Sequence, residues 1–404
     1  METQRSAAAA ARPAAVDSKD FKQRAQAAAA VAAKHALAVD ADSRFPAEAF
    51  DEIRKQRLLG IMVPAALGGE AAPLAEIVDV CYTLGQACAA TGMIYAMHQI
   101  KLGCLVRHTN GSAAIERVLK RVAAEQLLLA SSTTEGQGGG NVRASEAPVQ
   151  YDGANISLER KATVISYGVA ADGVVTTARR NADAPPSDQV LVVFLKPEYT
   201  LEPMAGWSWN TLGMRGTCSD GFTLRGKGTT DNIVPEPYER IHAHTMVPFA
   251  HLCWGAVWTG IAAAATGRAQ AFIRNAARQA NGQMPPGAPH FTKAITTLRT
   301  LRGVIMSGLR SYERAMNDEK MLTSLEFQSM ITLTKVEASE LAAATVLSAM
   351  RACGLAGYRN DGDYSIGRYL RDVLSSPIMI NNDRILANLA TPALMTPLPN
   401  SLSS

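Results

Sequence analysis

The sequence predicts an α+β protein in three parts: an N-terminal helical domain, a middle β-sandwich or barrel domain, and a C-terminal four-helix bundle. Three observations predict it. The 404 residues are 47% hydrophobic but only 6% aromatic, and Ala and Leu dominate, which favours helix and allows a large core. Between residues 127 and 240 the pattern changes to short β-type runs separated by turn signals. After Pro237 long helical patterns return.

In chain order, residues 1–17 read as a disordered Ala-rich tail, 18–126 as the helical domain, 127–240 as the β domain and 241–404 as the bundle. Ser18 to Val39 forms one long helical pattern, and Pro46 opens a second near its first turn. Ala72–Ala90 and Gly92–His108 read as buried helices, and Ala113–Ala124 as an amphipathic one. Strands are expected around Thr163–Ser166, Gly173–Thr177, Gln189–Leu195, Gly221–Leu224 and Thr229–Val234. Helices follow at about 247–281, 291–317, 323–353 and 378–390, with Pro285-Pro286-Gly287 and a Gly-rich stretch between the later ones.

Composition excludes several classes of function. The net charge of +4 is spread without a dense basic block, which argues against nucleic-acid binding. The six cysteines form no Cys-x-x-Cys pair, and the seven histidines show no metal-ligand spacing. The cysteines therefore read as free thiols in a reducing compartment, and cytoplasm is the simplest location. No unbroken apolar run reaches the ~18 residues of a membrane span.

The stretch from Leu127 to Val142 carries the first chemical signal. An apolar strand pattern ends in Thr133-Thr134-Glu135, then four glycines in five positions. Gly lets backbone N–H groups come close to a ligand, and Thr hydroxyls can donate to a flat polar ring. Gly-Lys-Ser/Thr is absent, and no helix follows as in a Gly-x-Gly-x-x-Gly loop.

With four further motifs, the chain resembles the acyl-CoA dehydrogenase superfamily of flavoproteins over about residues 18–390. The motifs are Phe45-Pro46 with Leu59-Gly60 to Gly69; Thr134-Glu135 to Val142; Lys161 to Ser166; Trp209 to Ser219; and Cys353-Gly354 to Tyr358 with Arg371-Asp372. The resemblance implies FAD between the β domain and the C-terminal helices. It implies cofactor contacts from Ser132, Thr134, Gly139, Gly140, Val164, Ile165, Ser166, Gly354 and Asn382. Arg278 and Arg351 would reach FAD of a neighbouring subunit in a homotetramer or homodimer. The chain departs from the family pattern at Gly136, Gly140, Val164, Asn281 and Arg351, where Pro, Ser, Trp, Phe and Gln are usual.

The largest departure is the catalytic base. Counting from Arg371-Asp372 puts the family's Glu at Ile380, and the alternative site used by some members at Val257. Asp383 is then the nearest candidate carboxylate, and His98 and His251 are candidate neutral bases. Two activities follow from the resemblance. The favoured one is FAD-dependent dehydrogenation of an acyl thioester, on CoA or a carrier protein, with an electron-acceptor flavoprotein. The other is flavin-dependent monooxygenation, with a flavin reductase as partner and no need for the Glu.

Overall fold

The computed structural model describes residues 20–135 and 142–395. Gly139 and Gly140 lie outside them, as does the expected N-terminal tail. Among the described residues the first section is helical: α1 Phe21–Ala41, α2 Ala47–Lys55, α3 Leu74–Ala87, α4 Ala89–Arg107 and α5 Ala113–Glu125. Asp20 starts α1 by accepting from the Gln23 N–H at 2.8 Å, and Ser112 caps α5 in the same way. α4 shows no polar face, and nearly every residue in it is buried, because β1, α3 and α7 surround it.

The middle section holds β1 Leu129–Ser132, β2 Gln150–Asp152, β3 Asn155–Ala162, β4 Gly173–Arg179, β5 Gln189–Leu195, β6 Tyr199–Pro203 and β7 Phe222–Thr229. They form a three-stranded sheet in the order β1-β4-β5 and a four-stranded antiparallel sheet in the order β2-β3-β7-β6. β5 is buried at every position, as its unbroken apolar run requires. Two expected strands are not strands. Thr163–Ser166 is a loop, because its backbone is pinned by 217–220: the Ile165 N–H donates to Asp220 O at 2.9 Å and the Tyr167 N–H to Thr217 O at 2.7 Å. Thr230–Asn232 is a 3-10 turn closed by a Thr229–Asn232 capping box.

The last section runs α6 Tyr238–Ile241, a π turn over His242–Met246, α7 Val247–Gln279, α8 Ala288–Ala315, α9 Glu319–Thr323, α10 Leu325–Cys353, α11 Leu355–Tyr358, α12 Gly367–Val373 and α13 Asn382–Met395. α7, α8 and α10 pack on one another, and α13 packs on α10. α7 also packs on α3 and α4, which joins both helical sections in one core. Counting unbroken runs missed that Tyr238–Gln279 is long and apolar enough to cross a membrane; 83% of its apolar window is buried inside the fold, as in a core helix.

Two motifs distant in sequence meet at one point. A Cβ on Gly213 would lie 2.1 Å from Arg371 O, so only Gly permits this approach. The Met214 N–H donates to Asp372 Oδ1 at 2.7 Å, and Arg371 Nη1 donates to Leu212 O at 2.9 Å. The β section is thereby fixed to the C-terminal helices.

Candidate active site

A cavity of about 880 Å³ opens where α4, the end of β1, the π turn with α7, the start of α10, and α13 converge. The π turn adds one residue to the helical register. His242, Met246, Ala250 and Trp254 follow at intervals of four and all line the cavity, with His251 beside them. Met97, Ile100, Leu325 and Ile380 add apolar wall, while Lys101, Ser131, Thr133, Arg143, Ser329 and Arg384 add polar atoms. Among the described residues no Asp or Glu lines it. Outside the described residues, 136–141 and 396–404 contain no Asp or Glu, while 1–19 contain Glu2 and Asp17.

The wall is basic but carries little charge on its imidazoles. His251 Nδ1 lies 2.9 Å from Ile331 O; a carbonyl only accepts, so Nδ1 holds the proton and Nε2 is left as acceptor. Burial lowers its pKa to about 4. Burial, and then the positive charge of Arg143, lower His242 to about 3. Lys101 is 2% exposed, and burial pulls its ammonium down to about 8.

The expected flavin ledge lies on the β section. Val164 is 37% exposed, Ile165 is buried and Ser166 half-buried. Ser219 Oγ donates to Ser166 Oγ at 2.8 Å, and Thr217 Oγ1 lies 2.8 Å from both Ser219 Oγ and Met214 O. This hydroxyl chain fixes the Ser166 side chain. Ser132 is buried with no partner for its Oγ among the described residues, and Thr134 is half-buried. Strand alternation turns Ser131 and Thr133, not Ser132 and Thr134, to the cavity. An exposed apolar residue at Val164 beside the fixed hydroxyls of Ser166 and Ser219 fits a flat heteroaromatic ring with polar edges. Glu135 anchors the loop: it accepts from the Glu146 N–H at 2.7 Å and the Ala147 N–H at 3.3 Å, with Arg160 Nε 3.7 Å away.

Comparison with known proteins places this architecture. Residues 17–126 match the acyl-CoA dehydrogenase N-terminal domain. The fold is that of an acyl-CoA dehydrogenase. Cyclohex-1-ene-1-carbonyl-CoA dehydrogenase of Geobacter metallireducens is 23% identical over 372 residues, covering 90% of this chain and 94% of the relative. KijD3 in complex with dTDP superposes with a TM-score of 0.81 at 20% identity, over 95% of this chain and 98% of its own. FMN-bound TdsC from Paenibacillus sp. A11-2 superposes with a TM-score of 0.79 at 16% identity, over 95% of this chain and 100% of its own.

In this chain the positions singled out for a base differ sharply. Ile380 lines the cavity, but in a turn before α13 and with φ +49°, not at the helix start. Asp383 is exposed and outside the cavity wall; its N–H donates to Asn381 Oδ1 at 2.8 Å. Val257 is buried against Gly85 of α3. His98 is a core strut: Nε2 lies 2.9 Å from Leu59 O, and Nδ1 accepts from the Leu129 N–H at 3.0 Å.

The remaining expected cofactor residues separate as well. Asn382 is buried within the C-terminal helices, accepting from Lys335 Nζ at 2.7 Å and donating to Ser339 Oγ at 2.9 Å and Glu340 Oε1 at 2.8 Å. Arg278 and Arg351 are exposed on the last turns of α7 and α10. Gly287, before α8, packs on Ala352, so both arginines sit at one end of the bundle. Arg278 lines an open pocket of about 510 Å³ there with Arg274 and Phe291. Gly354 has φ +56° and separates α10 from α11. Sequence reasoning missed Lys101, Arg143, His242 and Arg384 on the cavity wall.

Proposed function

We propose that this chain is a flavin-dependent monooxygenase acting on an apolar ring compound. One observation carries the reading: among the described residues the ionisable groups on the cavity wall are cations, neutral imidazoles and the Tyr238 phenol, with no carboxylate, and the position expected for the base is an isoleucine. Proton abstraction beside a thioester needs a base of near-neutral pKa within reach of the carbon. His251 and His242, held near 4 and 3, are weak bases at neutral pH. TdsC, one of the similar structures, is a dibenzothiophene monooxygenase.

A bound reduced flavin would supply electrons for O₂ activation, delivered from NADH by a partner reductase. One oxygen atom would enter the substrate and the other would leave as water. Met97, Ile100 and Trp254 would hold the ring and exclude water. His251 Nε2 would accept a hydrogen bond from the substrate. Thr134, Ser166 and Val164 would seat the isoalloxazine. Arg278 and Arg351, at one end of the bundle, favour FAD with its pyrophosphate held across subunits of a homodimer or homotetramer. Dehydrogenation remains the second reading because the Geobacter relative is a dehydrogenase of an acyl-CoA.

The deciding experiment supplies the protein with FAD or FMN, NADH, a flavin reductase and ¹⁸O₂, with a panel of phenols and fused-ring aromatics. One labelled oxygen per product molecule supports the reading. No label, together with anaerobic bleaching of bound flavin by an acyl-CoA, overturns it.

A further inference from the structure

Lys101 is a charged side chain in a place built for none. It sits in the middle of α4, a helix buried nearly throughout. Its hydrogen-bond acceptor is the Met246 thioether, 3.4 Å from Nζ, and a thioether is a weak acceptor. The charge that acts on it from nearby is Arg160, of like sign. Cys104 is also close, but burial pushes its thiol up to about 11, so it brings no negative charge at neutral pH. No carboxylate is among the neighbours that shift it. Glu135 faces Arg160 and the 146–147 backbone instead.

A buried ammonium with no counter-ion among the described residues is unfavourable, and the fold retains one on the wall of this cavity. Arg143 and Arg384 line the same cavity. We propose that the substrate binds as an oxyanion, an apolar ring bearing one acidic hydroxyl or carboxyl group, with Lys101 as its counter-ion. Trp254, Ile100 and Met97 take the ring, and Lys101 Nζ takes the anionic oxygen. The proposal deepens the reading of this cavity as the substrate site. It concerns binding alone, so it stands or falls apart from whether oxygen is transferred.

The test uses the full chain with oxidised flavin bound and no reductant, so that nothing turns over. 4-Nitrophenol and its neutral ether 4-nitroanisole are titrated at pH 6, where free 4-nitrophenol is mostly protonated and Lys101 is charged. Phenolate absorbance reports the ionised bound form, and Trp fluorescence reports occupancy by either compound. The expected result is that the bound phenol is ionised and binds on the order of tenfold or more tighter than the ether, the scale of a charged hydrogen bond in a buried site. In Lys101→Met the preference disappears while ether binding persists; flavin content and circular dichroism report whether that variant is folded. The wild-type ratio needs no variant. Equal binding of the two compounds, binding of the phenol in its neutral form, binding of neither, or a preference that survives in folded Lys101→Met overturns the proposal.

Discussion

Lys101→Met should stabilise the protein, and the gain should vanish at high pH. Burial lowers the Lys101 ammonium from its ordinary 10.5 to about 8. At 1.36 kcal/mol per tenfold, that difference corresponds to about 3 kcal/mol of destabilisation at pH 7, as an order of magnitude. Between pH 8 and 10.5 the unfolded chain holds this proton more firmly than the folded one, so stability from this group rises with pH and the deficit closes. Met has a similar shape and no charge to desolvate, so replacement removes the deficit and leaves a packing change under about 1.5 kcal/mol. For 404 residues, an unfolding entropy of roughly 2.1 cal/mol/K per residue makes 3 kcal/mol worth about 4 °C in Tm.

The measurement is differential scanning fluorimetry of both proteins from pH 7 to 10.5, at equal concentration and flavin loading. Buried Tyr95, Tyr167 and Tyr238, with pKa values raised by burial, also bend the wild-type curve. They are common to both proteins, so the difference curve isolates Lys101. The variant should melt about 4 °C higher at pH 7, and the gap should shrink toward zero by about pH 10. A gap that is flat across this range would refute the reasoning. Lys101 would then have an ordinary pKa and a partner, and the anion-anchor inference would fall with it.

Three further outcomes are expected. Ile380→Glu should fold, since it replaces a β-branched residue at φ +49°, a strained geometry, and places a carboxylate among cations; bleaching of bound flavin by an acyl-CoA should rise from the wild-type level, and an unfolded or flavin-free variant refutes the placement of this turn. Glu135→Gln should lose about 3 kcal/mol or more by leaving buried Arg160 without its countercharge, and weaken flavin binding, read by thermal melts and flavin titration; unchanged values would show that the loop is held otherwise. Asp372, raised to about 6 chiefly by burial, is favoured in its protonated form by folding: its contribution is present below pH 3.8 and lost as pH rises through 6. Asp372→Asn, which keeps an acceptor for the Met214 N–H, should therefore raise Tm by up to about 4 °C at pH 7 and by little at pH 4; a lower Tm at pH 7 refutes this sign.

The order of helical, β and helical sections was legible because the hydrophobic period changes at β1 and again near Pro237. Strand β3 was not: Asn155–Ala162 has the period-2 burial of a strand, but a charged Arg160 fills one of its inward positions and it lacks a β-branched run. Thr163–Ser166 misled in the opposite direction: its β-branched residues favour a strand, but hydrogen bonds from the 217–220 segment hold it as a loop. At the site, motif matching led to Ser166, which the structure ties to Ser219, and to Ile380, which faces the cavity. It could not find His242, because a π turn leaves no periodic mark in a sequence. Lys101 had a signal that went unread. It is a lysine between Ile100 and Leu102 within a helix that has no polar face, where a solvated role is impossible.

The missing carboxylate and the retained cations are one electrostatic fact. A general base for α-proton removal works when burial lifts a carboxylate toward neutral pKa, which requires apolar surroundings. In this cavity the Lys101 ammonium would oppose that lift and hold a carboxylate ionised as a poor base. Restoring Glu at position 380 alone would thus supply the group without the environment that activates it, so any acyl-CoA oxidation gained should be slow. It should quicken when Lys101→Met is added, because removing that cation lets the pKa rise. A double variant no faster than Ile380→Glu would separate the two features and leave the positive wall serving the substrate alone.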